Sequence, residues 1–290
     1  MTIEHAQTHS LPKPWGVLDT RPWRHAGDHA ETIGEIWFER SNSAASPPSL
    51  LLKLLFTNQP LSIQVHPDDA YAQSIGLPNG KNEAWYVLSA TPEAKIALGL
   101  KRRISAEQLR HAIDDGSISD LVVWRTAYPG DTFLVTAGTI HAVGAGLVIA
   151  EIQQSSDATF RLFDHGRGRA LHIESALAVA NTEPAVFFVQ PNKVTNERTT
   201  LVSNSHFVFE RINLAPNSAW RLEAQRETWL LVIRGSARAG SFDVTTGDAI
   251  FAQSDRVDIC ASKAGLTGLV AYAGGLIPEL LKCVDMETTQ

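Results

Sequence analysis

Basic charge, cysteine and long apolar runs are all scarce in this chain of 290 residues, and each scarcity excludes a class of function. Acidic residues outnumber basic ones, 31 to 25, for a net charge of −6. Nothing therefore marks a nucleic-acid or membrane-surface binder, and a small anionic substrate would need a local cluster of Lys and Arg working against that balance. The two cysteines, Cys260 and Cys283, are too few for a disulfide scaffold and lack metal-site spacing. They are expected as reduced, partly buried thiols. No apolar run approaches the about 20 residues of a membrane span. Met1 to Pro14 is polar with no apolar core, so no signal peptide is expected. What is present is a hydrophobic fraction of 44% against only 19% charged residues, which suits a sizeable core and not a disordered chain. The length fits one large or two medium domains. The expectation is a soluble, cytoplasmic protein with a small-molecule partner and no nucleic-acid or membrane partner.

Short apolar or alternating runs separated by turn residues dominate the first two-thirds. Ile33 to Arg40, Leu50 to Phe56, Leu61 to His66, Glu83 to Ser89, Ala94 to Leu100, Thr132 to Thr136, Ile140 to Val143, Leu147 to Gln153 and Thr159 to Phe163 all read as strands. Strands this short with regular turns predict a sandwich or barrel. Helices are few. Ser105-Ala106-Glu107-Gln108 forms a capping box that opens a helix to about Asp115. His172 to Asn181 and Leu276 to Val284 are two further helical candidates. Pro184 to Glu197 reads as a boundary, after which the strand pattern restarts. Gly247-Asp248 echoes Gly130-Asp131. The second half is thus expected to repeat the first half's barrel without its metal donors: it keeps Glu227 but has no histidine after His206. Its expected role is stabilisation or dimerisation.

The chemistry concentrates in Gln64-Val65-His66-Pro67-Asp68-Asp69, with Lys81-Asn82-Glu83 and His141. On a strand, Gln64 and His66 point to the same face. With Glu83 and His141 they make two nitrogen and two oxygen donors, a set that fits zinc or a similar divalent ion. His66, Glu83 and His141 alone would also suit non-haem iron and oxygen chemistry. Gln64, Lys81 and Arg161 argue against that alternative, because they add a ligand and cations suited to an anionic substrate.

Gly80-Lys81-Asn82-Glu83-Ala84-Trp85-Tyr86, Ala137-Gly138-Thr139-Ile140-His141-Ala142, Glu151-Ile152-Gln153-Gln154-Ser155-Ser156-Asp157 and Thr159-Phe160-Arg161-Leu162-Phe163-Asp164 follow the Gln64 motif in order. Together these segments resemble type I mannose-6-phosphate isomerases in their short bacterial form, members of the cupin superfamily. The resemblance covers most of the first two-thirds of the chain. It implies a mainly β fold of two cupin-like jelly-roll barrels with a few short helices. Residues 1–190 would form the metal-binding catalytic domain and residues 191–290 a cupin-like domain without metal ligands. It implies one zinc ion per chain on Gln64, His66, Glu83 and His141, with Arg161 and Lys81 as catalytic and substrate-binding residues. The implied reaction interconverts mannose 6-phosphate and fructose 6-phosphate through an enediolate. An isomerase of a related sugar phosphate is the nearer alternative and a non-haem-iron oxygenase the farther one. The general base is left open between Lys81, a carboxylate and a metal-bound water, and the assembly between monomer and homodimer. Arg167, Arg169 and Lys101-Arg102-Arg103 are further candidates for the phosphate, or else solvated charges. Asp68 and Asp69 are expected as turn or cap residues, His172 as a cap or packing residue, and Trp15 at one end of the barrel.

Overall fold

The computed structural model describes residues 2–23, 31–42, 44–184 and 189–284. The dense apolar runs of the first half are strands covered on both faces, which removes the usual alternation. In Leu50–Thr57, Leu50, Leu52, Leu54 and Phe56 face a core shared with Phe209, Trp229 and Phe251 of the second half. Leu55, of opposite parity, faces a different core with Trp85, Ile96 and Val143.

That second core lies between two antiparallel sheets. One holds six strands in the order Gln7–Val17, Ile33–Glu39, Leu50–Thr57, Leu147–Gln154, Glu83–Ala90 and Thr132–Val135. The other holds five, ordered Phe160–Phe163, Ile63–Val65, His141–Val143, Lys95–Leu100 and Val122–Thr126. Ile63, Val65, Ala142 and Leu162 of the five-stranded sheet turn outward, onto helices Ala106–Asp114 and Ile173–Val179. The helix Ala106–Asp114 carries the expected capping box, with Ser105 and Gln108 bonding each other's backbone amides.

Ten strands build the second barrel around a core of Val208, Leu230, Ile250, Ile259 and Val270. One of the ten is Thr2–His5, which pairs antiparallel with Ala249–Gln253. The next strand, Gln7–Val17, belongs to the first barrel, so the chain links both barrels within its first few residues. The echoed turn is real in three dimensions. Asp131 Oδ2 accepts the Tyr128 N–H at 2.8 Å beside Gly130 at φ 95°, and Asp248 Oδ2 accepts the Thr245 N–H at 2.8 Å beside Gly247 at φ 98°. The fold is mainly β, two jelly-roll barrels of the cupin kind, with four short helices among the described residues.

Two expectations change. Leu276 to Val284 is not a helix: Leu281–Cys283 is a strand on Ala219–Ala224, and Ile277 and Leu280 plug the second core. Pro278 has no N–H for a helical ladder, and the barrel supplies a better burial site for the apolar residues around it. Cys260 and Cys283 are exposed free thiols, not partly buried ones, because both lie on outer faces of strands of that barrel. Residues 185–188 of the expected boundary lie outside the described residues.

Candidate metal centre and substrate pocket

Register brings the sequence-predicted residues together. Across the five-stranded sheet Arg161 lies opposite Gln64, and Gln64 opposite His141. Paired residues on neighbouring strands share a face, and this row faces the opposing sheet. His66, two residues beyond Gln64, shares that face. Glu83 starts its strand in the six-stranded sheet with the parity of Trp85 and Val87, whose side chains fill the core between the sheets.

His66 Nε2 lies 3.5 Å from Glu83 Oε2, and His141 Nε2 lies 3.4 Å from Glu83 Oε1. The three donor atoms fall within 4.8 Å of one another, on side chains that are at most 1% exposed. Each imidazole is oriented from behind: His66 Nδ1 bonds the Ala158 carbonyl at 2.8 Å and His141 Nδ1 the Thr139 carbonyl at 2.8 Å. A carbonyl can only accept, so the proton is on Nδ1 and the Nε2 lone pair points at Glu83. Burial, reinforced by the Lys81 charge, pushes His66 down to about 4, and burial likewise lowers His141. Burial alone would raise Glu83, but Lys81 and the two imidazoles outweigh it and hold the carboxyl well below its usual range. Neutral imidazoles and an ionised carboxylate are the protonation states that metal binding requires.

Hydrogen bonding leaves this cluster incomplete. Among the described residues, His66 Nε2 and both Glu83 oxygens are buried without a hydrogen-bond partner. Lys81 Nζ is 3.0 Å from Glu83 Oε2, within ion-pair distance but off the line of a hydrogen bond. An unsatisfied buried polar atom costs about 1–3 kcal/mol, so three converging ones call for a ligand. Two imidazole nitrogens and a carboxylate fit a divalent cation of the zinc type. Gln64 borders the cluster: its amide nitrogen is 3.2 Å from His141 Nε2 and its oxygen accepts from Ser62 Oγ at 3.2 Å. A half-turn of the amide exchanges the two ends and presents the oxygen instead.

Gln64 and Lys81, which touch the cluster, also line a cavity of about 220 Å³, together with Arg161 and residues that the sequence reading did not single out for the site. Lys53 Nζ lies 3.1 Å from Glu151 Oε1 and 5.0 Å above the Trp37 ring. Lys13 Nζ lies 3.2 Å from Glu35 Oε1. Trp37 and Trp85 donate their indole N–H groups to Glu35 at 2.7 Å and Glu151 at 2.9 Å. A signal for them existed: Lys53 and Glu151 are single charges inside otherwise apolar strands, at the parity that faces the cavity.

The arginine-rich loop is not simply solvated. Arg167 and Arg169 both grip Asp164, and Arg169 lines the cavity with its guanidinium 4.9 Å from the Trp15 ring. Burial would raise the Asp164 carboxyl, but the two arginines hold it at about 2. Lys101 and Arg103 instead bond Asp120 and Glu183 on the surface, away from the cavity. Asp68 caps helix Asp69–Ser74 through the Tyr71 N–H. Asp69 accepts from Gly80 N and Gln154 Nε2, which holds the Lys81 loop.

The sequence matches no family model. The mannose-6-phosphate isomerase of Streptococcus mutans is 38% identical over 232 residues, which is 76% of this chain and 68% of that protein. This chain belongs to the mannose-6-phosphate isomerase family. A second member, from Bacillus subtilis, is 32% identical over 231 residues, covering 74% of this chain and 68% of its own length. Among solved structures, the mannose 6-phosphate isomerase from Bacillus subtilis aligns with a TM-score of 0.81 over 94% of this chain and 100% of that one, at 24% identity. A zinc-bound mannose 6-phosphate isomerase shares the fold, with a TM-score of 0.75 over 94% of this chain and 100% of that one, at 15% identity. No helix among the described residues is long and apolar enough to cross a membrane.

Proposed function

We propose that the chain interconverts mannose 6-phosphate and fructose 6-phosphate, with one zinc ion on His66, Glu83, His141 and the Gln64 amide oxygen. The observation that supports this reading is the buried His66, Glu83 and His141 cluster, which Gln64 and Lys81 connect to a cavity rich in cations, in a chain whose relatives are mannose-6-phosphate isomerases. We assign residues 1–190 to catalysis and residues 191–290 to a cupin-like brace, in a cytoplasmic enzyme.

The reaction moves a proton between two adjacent carbons while the carbonyl migrates, through an enediolate that carries negative charge. When bound, the zinc ion supplies Lewis acidity toward the substrate oxygens. Arg161 faces the same cavity, and its buried Nε has no hydrogen-bond partner among the described residues. A guanidinium stabilises developing charge without giving up its own proton. Lys81 adds a second positive charge on the Glu83 side. Arg161, Lys81, Arg169, Lys13 and Lys53 together outnumber the carboxylates Glu35, Glu151 and Asp157 along the wall, a local positive excess against the chain's overall negative charge, which suits a phosphate. For the proton itself the wall offers Lys81 and the carboxylates Glu35, Glu151 and Asp157.

A coupled isomerase assay on the purified full chain, with metal content measured on the same sample, tests this reading. Turnover that chelation abolishes and zinc restores is expected. Turnover of another sugar phosphate but not of mannose 6-phosphate would replace the substrate. Oxygen consumption with bound iron would replace the reaction.

A further inference from the structure

Arg161 lies on Phe160–Phe163, a strand at the edge of the five-stranded sheet. On one side it pairs with Gln64. On the other side no strand follows among the described residues, and a single residue takes the place of one. His172 Nδ1 accepts the Arg161 N–H at 3.1 Å, and the His172 N–H donates to the Arg161 carbonyl at 2.8 Å. Two residues earlier, the Ala170 carbonyl accepts from Arg161 Nη1 at 2.9 Å. The segment 170–172 therefore holds both the peptide and the guanidinium of Arg161. His172 occupies the N-cap position of Ile173–Val179, yet its side chain makes no cap bond. Its imidazole is committed to Arg161.

We propose that His172 is a positioning residue, whose neutral imidazole accepts the Arg161 N–H and so fixes where the guanidinium meets the enediolate. The proposal rests on the charge-stabilising role assigned to Arg161. Nδ1 can accept only while unprotonated. Protonation removes the acceptor, turns an N–H toward another N–H, and sets a second positive charge beside Arg161. Burial and the Arg161 charge both lower the affinity of His172 for a proton, so the accepting form holds at neutral pH. The other charged groups nearby are already paired: Asp164 with Arg167 and Arg169 in the connecting loop, and Glu174 of its own helix with Arg110 of Ala106–Asp114. His172 also packs against the Phe160 ring at 6.2 Å, a contact that carries no charge.

Small misplacements of a catalytic group cost about 10²-fold in rate. His172→Ala in the zinc-loaded full chain is therefore expected to lower kcat for mannose 6-phosphate about 10- to 100-fold, with KM and zinc content close to those of the parent. His172→Asn places an amide oxygen where Nδ1 was and does not titrate. It is expected to recover most of kcat and to lose the parent's fall in kcat on the acid side. Should His172→Ala fail to fold, the pH profile of His172→Asn decides alone: an acid limb identical to the parent's overturns the proposal. It is also overturned if His172→Ala keeps the parent's kcat, or if His172→Asn is as slow as His172→Ala, since the ring would then matter only for packing. Arg161→Ala separates the two readings. Lost turnover there with parental turnover in His172→Ala removes only the His172 role, whereas parental turnover in Arg161→Ala removes both.

Discussion

Two buried clusters of charge, one in each barrel, differ in a way that explains what each is for. In the second barrel Arg198 and Glu210, both at most 1% exposed, form a paired fork, with Nε and Nη2 each 2.9 Å from a Glu210 oxygen. Thr200 and Tyr272 donate to the same carboxylate, and Arg198 also reaches the carbonyls of Ile277 and Pro278. Burial and the Glu210 charge keep the Tyr272 hydroxyl protonated, as a donor. Every group there has its partner. In the first barrel His66 and Glu83 are equally buried, but beyond the Lys81 ion pair the His66 Nε2 and Glu83 oxygens have no hydrogen-bond partner among the described residues. A satisfied buried network orders a fold, whereas an unsatisfied one is a binding site awaiting its ligand. The Glu227 carboxylate follows the satisfied pattern. It accepts from Ser49 N, Ser49 Oγ and Leu50 N at 2.7–2.8 Å, so this carboxylate of the second half is used to hold a strand of the first.

The sharpest way to break this comparison is to damage each cluster and ask which property is lost. His141→Ala is expected to lose bound zinc and turnover together, by more than the about 100-fold that follows loss of a group merely supporting a ligand. Metal analysis showing full occupancy in that variant would remove His141 from the centre. Glu210→Ala should have the opposite signature. An unpaired buried Arg198 lowers unfolding free energy by about 3–5 kcal/mol, read by urea denaturation, while zinc content and kcat of the folded fraction stay parental. A large drop in zinc content there would erase the distinction. Arg161→Ala is expected to keep zinc and lose turnover by about 10²–10³-fold, in the range for removing one charge-stabilising donor. Near-parental turnover would remove its proposed role. The smallest effect concerns Asp164, which orders the arginine loop beside the cavity. Its carboxyl titrates at about 2, below the ordinary 3.8, a difference of roughly 2 kcal/mol. Because the folded value is the lower one, this stabilisation is present above pH about 4 and is lost as pH falls toward 2. Asp164→Asn should lose it at pH 7 and show a flatter stability profile across that acid window.

The site was legible where residue type and local spacing coincide. Gln64 and His66 share a face because strands have period two, and Glu83 and His141 are donors inside apolar surroundings. Lys53, Glu151, Lys13 and Glu35 were not legible as one wall, because their pairing depends on which strands become neighbours. The Arg198–Glu210 pair also spans two strands, and nothing local separates it from a surface pair. His172 was read as a cap or packing residue from its place before a helix. Its bond to Arg161 depends on the loop folding back to the sheet edge, which no local pattern announces. The strands themselves were mostly legible, since turn residues bound them. The failure at Leu276 to Val284 came from apolar spacing that suits a helix and a barrel plug equally well.

The pairing of Thr2–His5 with Ala249–Gln253 has a consequence for how the molecule is made. These residues leave the ribosome some 250 residues before their partner strand. A contact that distant in sequence is slow to form, because the loop must close before the contact gives anything back. During synthesis the first barrel therefore emerges while Thr2–His5 still lacks its partner strand. The second barrel gains its edge cover only when that early strand is captured, which makes this capture a late step in building the whole enzyme.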